Sequence, residues 1–234
     1  LLQTDYVLPI GETSQFEMGY RGAFKENYTD YLVERYNEDS EDFDVDFGLS
    51  NLFNFREYIN AVYSQYGSKF NKFSFLLGLR LENTKITIDQ PTSGDYKKKN
   101  YTGLFPTVNL NYELSENENI TLGYSRRLRR PHSYFINPFP SRASVTNIFQ
   151  GNPDLDPTYS GTFDLGYLNR YGKFTLSTSI YYQHATDAFT FISSATGDYY
   201  IPELDETITE NHPNFDQIIS ENENAIAVIQ RSPI

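Results

Sequence analysis

The 234 residues include no cysteine, no tryptophan and one methionine. Without cysteine there is no disulfide framework and no thiol chemistry. Nowhere do about 18 to 20 uncharged apolar residues run together, so a spanning helix is excluded, and a chain of this kind enters a bilayer only as strands. Basic residues are scarce as well, with 19 Lys+Arg against 31 Asp+Glu and a formal charge of −12. That excludes the basic surface needed to hold a nucleic-acid backbone. His132, His184 and His212 have no metal-ligand spacing, and no nucleophile–base arrangement or phosphate loop appears. Neither enzymatic activity nor a metal or cofactor is expected.

What the chain has in quantity is aromatic: 20 Tyr and 18 Phe, while hydrophobic residues make up only 38%. Soluble domains usually run near half apolar, whereas a sheet with lipid on one face and water on the other needs apolar residues at every second position only. The alternation is there. Phe174, Leu176, Thr178, Ile180 and Tyr182 oppose Thr175, Ser177, Ser179, Tyr181 and Gln183. In the same way Ile120, Leu122, Tyr124 and Leu128 oppose Thr121, Gly123, Ser125 and Arg127, and Phe73, Phe75, Leu77, Leu79 and Leu81 oppose Ser74, Gly78, Arg80 and Glu82.

Alternation also fits a soluble sandwich, so connection length is the discriminator. Short turns fall at 10–13, 67–71, 115–118 and 169–172, each with turn-forming residues. Between them lie long connections, about 29–51, 87–100, 131–156 and 193–223. Tight turns at one end and extended loops at the other are the asymmetry of outer-membrane barrels. The expected fold is therefore all-β, an antiparallel transmembrane barrel segment occupying 1–234, with strands over 2–8, 14–27, 52–66, 72–86, 101–114, 119–130, 157–168, 173–191 and 224–231. Nine strands leave an open edge that lipid does not tolerate, so further strands are expected elsewhere. Strand-like sequence at Leu1 and at Ile234, with no signal peptide, reads as an internal segment.

From Tyr101 the residues become specific. Leu104 to Pro106 opens a strand, Tyr124 to Pro131 (YSRRLRRP) leaves one, Asn137 to Phe139 (NPF) lies in a loop and Gly151 to Pro157 (GNPDLDP) returns to the wall. In this order the run resembles the barrel of TonB-dependent outer-membrane receptors, specifically the outer membrane β-barrel family. Residues 53–66 and 78–84 resemble it too, whereas 198–223 do not. The resemblance implies a barrel of about 22 strands in the bacterial outer membrane. It also implies an N-terminal plug through which the TonB complex drives uptake of a small ligand such as a peptide, glycan or siderophore. Neither plug nor TonB box is among these residues. A passive or structural outer-membrane barrel and a soluble all-β cell-surface binding module stand as alternatives.

The candidate site residues lie at the loop end. Strand phase turns Arg127 and Arg129 into the lumen, and Arg126 and Arg130 outward towards lipid and lipopolysaccharide phosphates. Guanidinium groups bind such anions bidentately, so the inner pair suits an anionic ligand. They serve equally to neutralise lumen carboxylates such as Glu82, Glu113 or Asp164. Tyr134, Phe135, Phe139 and Phe149 lie in a proline-rich loop suited either to ligand capture or to plain loop packing. Asp42, Asp44 and Asp46 with Gly48 fail the calcium-loop spacing and read as a solvated acidic loop.

Overall fold

The structure is a computed structural model that describes residues 1–234, the side chain of Ala143 excepted. In chain order the elements are β1 (Leu2–Ile10), β2 (Ser14–Tyr31), β3 (Glu34–Asn37), β4 (Asp42–Val45), β5 (Asn51–Phe70), β6 (Phe73–Gln90), β7 (Asp95–Ser115) and β8 (Glu118–Arg129). There follow α1 (Ser133–Ile136), β9 (Ser141–Ser144), β10 (Asn147–Phe149), β11 (Thr158–Tyr171), β12 (Phe174–Thr186), β13 (Phe191–Ile201), β14 (Glu206–Ile208), α2 (Phe215–Glu221) and β15 (Ile226–Pro233).

Eight strands form one antiparallel wall in the order β1-β2-β5-β6-β7-β8-β11-β12. Tight turns join them at one end, where Gly11 (φ 66°), Asn71 (φ 51°) and Gly172 (φ 57°) take the left-handed conformation that such reversals require. Register carries the apolar pattern across the wall. Leu8, Phe16, Tyr66, Leu77, Val108, Tyr124, Phe163 and Tyr182 pair in succession through all eight strands. A slip of one residue would turn that row to the other face. The apolar face is uncovered: Leu79 is 47% exposed, Leu122 46% and Leu165 49%. An apolar face of this extent is tolerable against lipid and not against water, which argues against the soluble module. The opposite face carries Arg21, Gln65, Arg80, Asn109, Thr121 and Asp164.

Several expected boundaries differ. Residues 87–100 are not an irregular loop, because β6 and β7 pair from Phe73↔Tyr112 up to Gln90↔Asp95 and only a four-residue turn separates them. Strands of 18 and 21 residues exceed what the hydrocarbon needs and project beyond it. The strand expected over 173–191 ends at Thr186, where Asp187 (φ 57°) breaks the ladder. Residues 224–231 do form a strand, β15, but it pairs with β13 and β10 and not with the wall, so the wall has eight strands and not nine.

Beyond the wall, β14-β13-β15-β10-β9 make a second sheet in which β10 and β15 are parallel. The connections that follow β8 and β12 are thereby stitched into one unit. That unit folds over the inner face: Ile136 and Leu155 join Phe53, Phe55, Ile86 and Ile88 in a buried cluster, with Tyr101, Phe135 and Phe189 packed against it. On upper β6 the inner residues Thr84, Ile86, Ile88 and Gln90 are buried while Lys85 between them is exposed.

Candidate functional site

Strand phase assigns Arg130 to the outer face, and the structure corrects this. The β8–β11 ladder ends at Arg129↔Thr158, so Arg130 is free of the strand's alternation and turns inward. Its guanidinium pairs with Glu82, donates to Thr84 Oγ1 at 2.8 Å and lies 3.7 Å from Glu57 Oε1. Arg80 donates to the other Glu82 oxygen through Nε at 2.9 Å. Glu113 is held by Lys69 at 2.7 Å. Two of the carboxylates considered for Arg127 and Arg129 are therefore already neutralised. Among the described residues neither Arg127 nor Arg129 makes an ion pair, and the Arg129 guanidinium rests 5.6 Å over the Phe189 ring.

The loop motifs bind one another. Gly151 N donates to Asn137 O at 2.9 Å and Asn152 N to Phe135 O at 2.7 Å, while Asn137 Oδ1 accepts from Phe139 N and Asn152 Oδ1 from Asp154 N. The returning segment is then clamped to the wall. The β7–β8 ladder extends no higher than Thr107↔Ser125, next to Pro106, which has no N–H to give. Above that break, Lys97 pairs with Asp154, and Lys99 Nζ donates to Leu155 O at 2.6 Å and to Asp156 at 3.3 Å. Leu155 is buried between these contacts.

Of the six candidate residues, three aromatics cluster, Tyr134, Phe135 and Phe149. Tyr134 stacks on Phe149 with centroids 4.4 Å apart and planes 11° apart, and Phe135 meets Phe149 at 6.2 Å, Phe189 at 5.6 Å and Phe191 at 5.2 Å. Phe139 is 7% exposed. Between this cluster and the inner face of β2 and β5 lies a cavity of about 440 Å³, lined by Tyr134, Phe139 and Phe149 together with Asn51, Asn137 and Arg142. Phe135, Arg127 and Arg129 do not line it. No carboxylate does either.

The acidic loop is structural. Asp44 accepts from Asn37 Nδ2 at 2.7 Å, and Asp46 pairs with Arg35 at 2.6 Å and accepts from Gly48 N and Leu49 N. Burial opposes ionisation of Asp46, yet Arg35 and the two amides hold its carboxyl below the usual 3.8. His132 Nδ1 accepts from Tyr134 N at 3.3 Å and His212 Nδ1 from Asn214 N at 3.1 Å, so both cap local turns.

Sequence reasoning missed Phe189, Phe191, Lys97, Lys99, Arg142 and Arg231, the last of which sits 4.6 Å over the Phe191 ring. One signal was present. Phe189 and Phe191 fall in the polar phase of the preceding strand, in step with Tyr181 and Gln183, where two phenylalanines are out of place.

A wall of this kind has known counterparts. Copper transporter OprC superposes with a TM-score of 0.63 at 12% identity, over 99% of this chain and 32% of its own. The unliganded ferric citrate transporter FecA gives 0.54 at 14%, over 78% and 26%. The FrpB iron transporter of Neisseria meningitidis gives 0.54 at 14%, over 80% and 28%. The chain thus spans about a third or less of the length of these structures, and the likeness is one of fold. No curated protein matches the sequence. The model of the "Outer membrane protein beta-barrel family" matches residues 1–227, nearly the whole chain, and with the lipid-facing wall and its tight-turn end already in place the chain belongs to that family.

Proposed function

We propose that this wall is part of a TonB-dependent receptor of the bacterial outer membrane that takes up a small ligand, and that the cavity beneath the loop unit receives it. The lining of the cavity carries the reading. A stacked Tyr134–Phe149 pair, the Asn51 and Asn137 amides and Arg142 converge on about 440 Å³ with no carboxylate, in a chain of charge −12. The volume falls in the range of small-molecule sites, about 300 to 1,000 Å³. Aromatic faces flanked by amides suit a neutral or anionic ligand with planar or hydroxyl-rich surface, as peptides, glycans and siderophores have. Arg127 and Arg129, in the lumen phase and free of carboxylates, would meet an anionic ligand after it leaves the mouth. The folds named above, transporters of ferric citrate, copper and iron, support uptake as the role of such a wall.

Energised uptake requires a plug domain in the intact protein for TonB to act on. Cells expressing the intact receptor can be offered a radiolabelled ferric siderophore, a short peptide and an oligosaccharide, with and without functional TonB. Accumulation of one of them only when TonB works, reduced up to about tenfold by Tyr134→Ala as expected for loss of one aromatic stack, supports the proposal. Entry of all three regardless of TonB would show a passive barrel instead.

A further inference from the structure

On the outer face, at the loop end of the apolar band, β8, β11 and β12 enclose a cleft of about 250 Å³ that the uptake reading does not use. Register builds it. Arg126, Gly161 and His184 are successive partners across the three strands, so a cation and an imidazole flank a position with no side chain, about 10 Å apart at the usual strand spacing. One register row towards the bilayer centre come Tyr124, Phe163 and Tyr182, and beyond them Leu122, Leu165 and Ile180. The cleft therefore opens where the apolar band gives way to polar residues.

Its groups are poised and unpartnered. The Arg126 guanidinium lies 5.1 Å over the Tyr159 ring, an arrangement that covers one face of the group and leaves its edge N–H donors free. The Tyr124 ring packs on Phe163 at 4.5 Å and leans over Gly161, its hydroxyl 3.5 Å from where a Cβ would stand. Among the described residues Arg126 makes no ion pair and neither it nor His184 makes a side-chain hydrogen bond, although acids outnumber bases 31 to 19. Five inward cations, Lys69, Arg80, Lys97, Lys99 and Arg130, each hold a carboxylate, whereas Arg126, like Arg127 and Arg129 on the inner side, holds none. No carboxylate lines the cleft.

We propose that this cleft binds a phosphate of an outer-leaflet glycolipid, with Arg126 and His184 on either side of the phosphate, the Tyr124 hydroxyl donating from below and Gly161 leaving room for it. The acyl chains of the same molecule then lie along Phe163, Tyr182 and Leu165. Planar guanidinium donors match phosphate oxygens bidentately.

The test uses the intact receptor extracted in detergent and examined by native mass spectrometry with two probes, lipid A carrying its phosphates and lipid A stripped of them. Phosphorylated lipid A should be retained by the unaltered protein. Arg126→Gln should weaken retention about fivefold, the scale of one cation at an anionic lipid surface, and Gly161→Val, which keeps Arg126 and His184 and fills the cleft, should weaken it as well. Stripped lipid A should bind the unaltered protein no better than phosphorylated lipid A binds Arg126→Gln. Equal retention of the two lipids, no loss in the folded Gly161→Val protein, or displacement by inorganic phosphate would each overturn the proposal, the last by showing a soluble-anion site.

Discussion

Arg130 and Glu82, 48 residues apart in sequence, meet on the inner face of the wall, where Arg80 holds the second oxygen of the same carboxylate. Arg130 is the first residue past β8, so this pair fixes the point at which the long connection turns over the lumen instead of away from it.

The Arg130 and Glu82 side chains are only 19% and 8% exposed, and without Arg130 the Glu82 carboxylate keeps Arg80 but loses one charged donor, while Glu57 loses its ion-pair partner. Arg130→Ala should destabilise the protein by about 1.5 to 3 kcal/mol, the scale of a hydrogen bond to a charged group, read as a lower guanidinium midpoint. It should also open 131–157 to trypsin before the wall unfolds. Arg130→Lys, which keeps the charge but loses the fork that reaches Glu82 and Thr84 together, should recover part of the loss.

The clasp on β7 separates two kinds of contact. Asp154 pairs with Lys97 but its side chain is 70% exposed, so Asp154→Ala should cost no more than about 1 kcal/mol. Leu155 is 7% exposed within the core cluster, and Leu155→Ala should cost about 2 to 5 kcal/mol. Hydrogen exchange at 151–157 distinguishes them: it should rise sharply for Leu155→Ala and hardly for Asp154→Ala.

Gly151 lies where the two loop motifs touch. A Cβ there would fall 2.5 Å from Asn137 O and 2.8 Å from Asn137 N, backbone atoms that cannot swing aside. Gly151→Ala should cost about 1 to 3 kcal/mol and displace Tyr134 and Phe149, visible as a changed near-ultraviolet circular dichroism signal. At Gly123 the nearest atoms belong to the Asp164 carboxylate, which can rotate, so Gly123→Ala should be milder by the same measurements.

The acidic loop should respond to pH. The Asp46 carboxyl is held below its ordinary value near 3.8, so its contribution is fully present above that value and is lost as pH falls through the lower, folded one. Hydrogen exchange over 32–50 should therefore accelerate at strongly acidic pH. In Asp46→Asn, which keeps an acceptor for Gly48 N and Leu49 N but not the charge facing Arg35, that acceleration should disappear.

The eight wall strands, two of the four tight turns within a residue (10–13 and 115–118), and the lipid face from Leu8 to Tyr182 were legible in the sequence, whereas the turns expected at 67–71 and 169–172 lie at 71–72 and 172–173. Each strand borders the same two media along its length, and period 2 records that locally. The loop unit was not legible. The candidate aromatics were placed together, but their partners Phe189 and Phe191 come from a segment that reads as the end of a wall strand, and only the break at Asp187 releases them. Residues 224–231 alternate as a wall strand does, and nothing within them chooses between β12 and the parallel partner β10.

The sequence by itself therefore determined the architecture: a cysteine-free alternating chain that must face lipid, with YSRRLRRP and GNPDLDP marking where it leaves and rejoins the wall. Only the tertiary structure decided which way Arg130 turns, that Lys97 and Lys99 clamp the returning segment, and that two distant connections share one sheet over the cavity. Periodicity is a property of a strand bound to its neighbours on both sides. Once the ladder ends, a side chain's direction is set by charges and rings that lie tens of residues away.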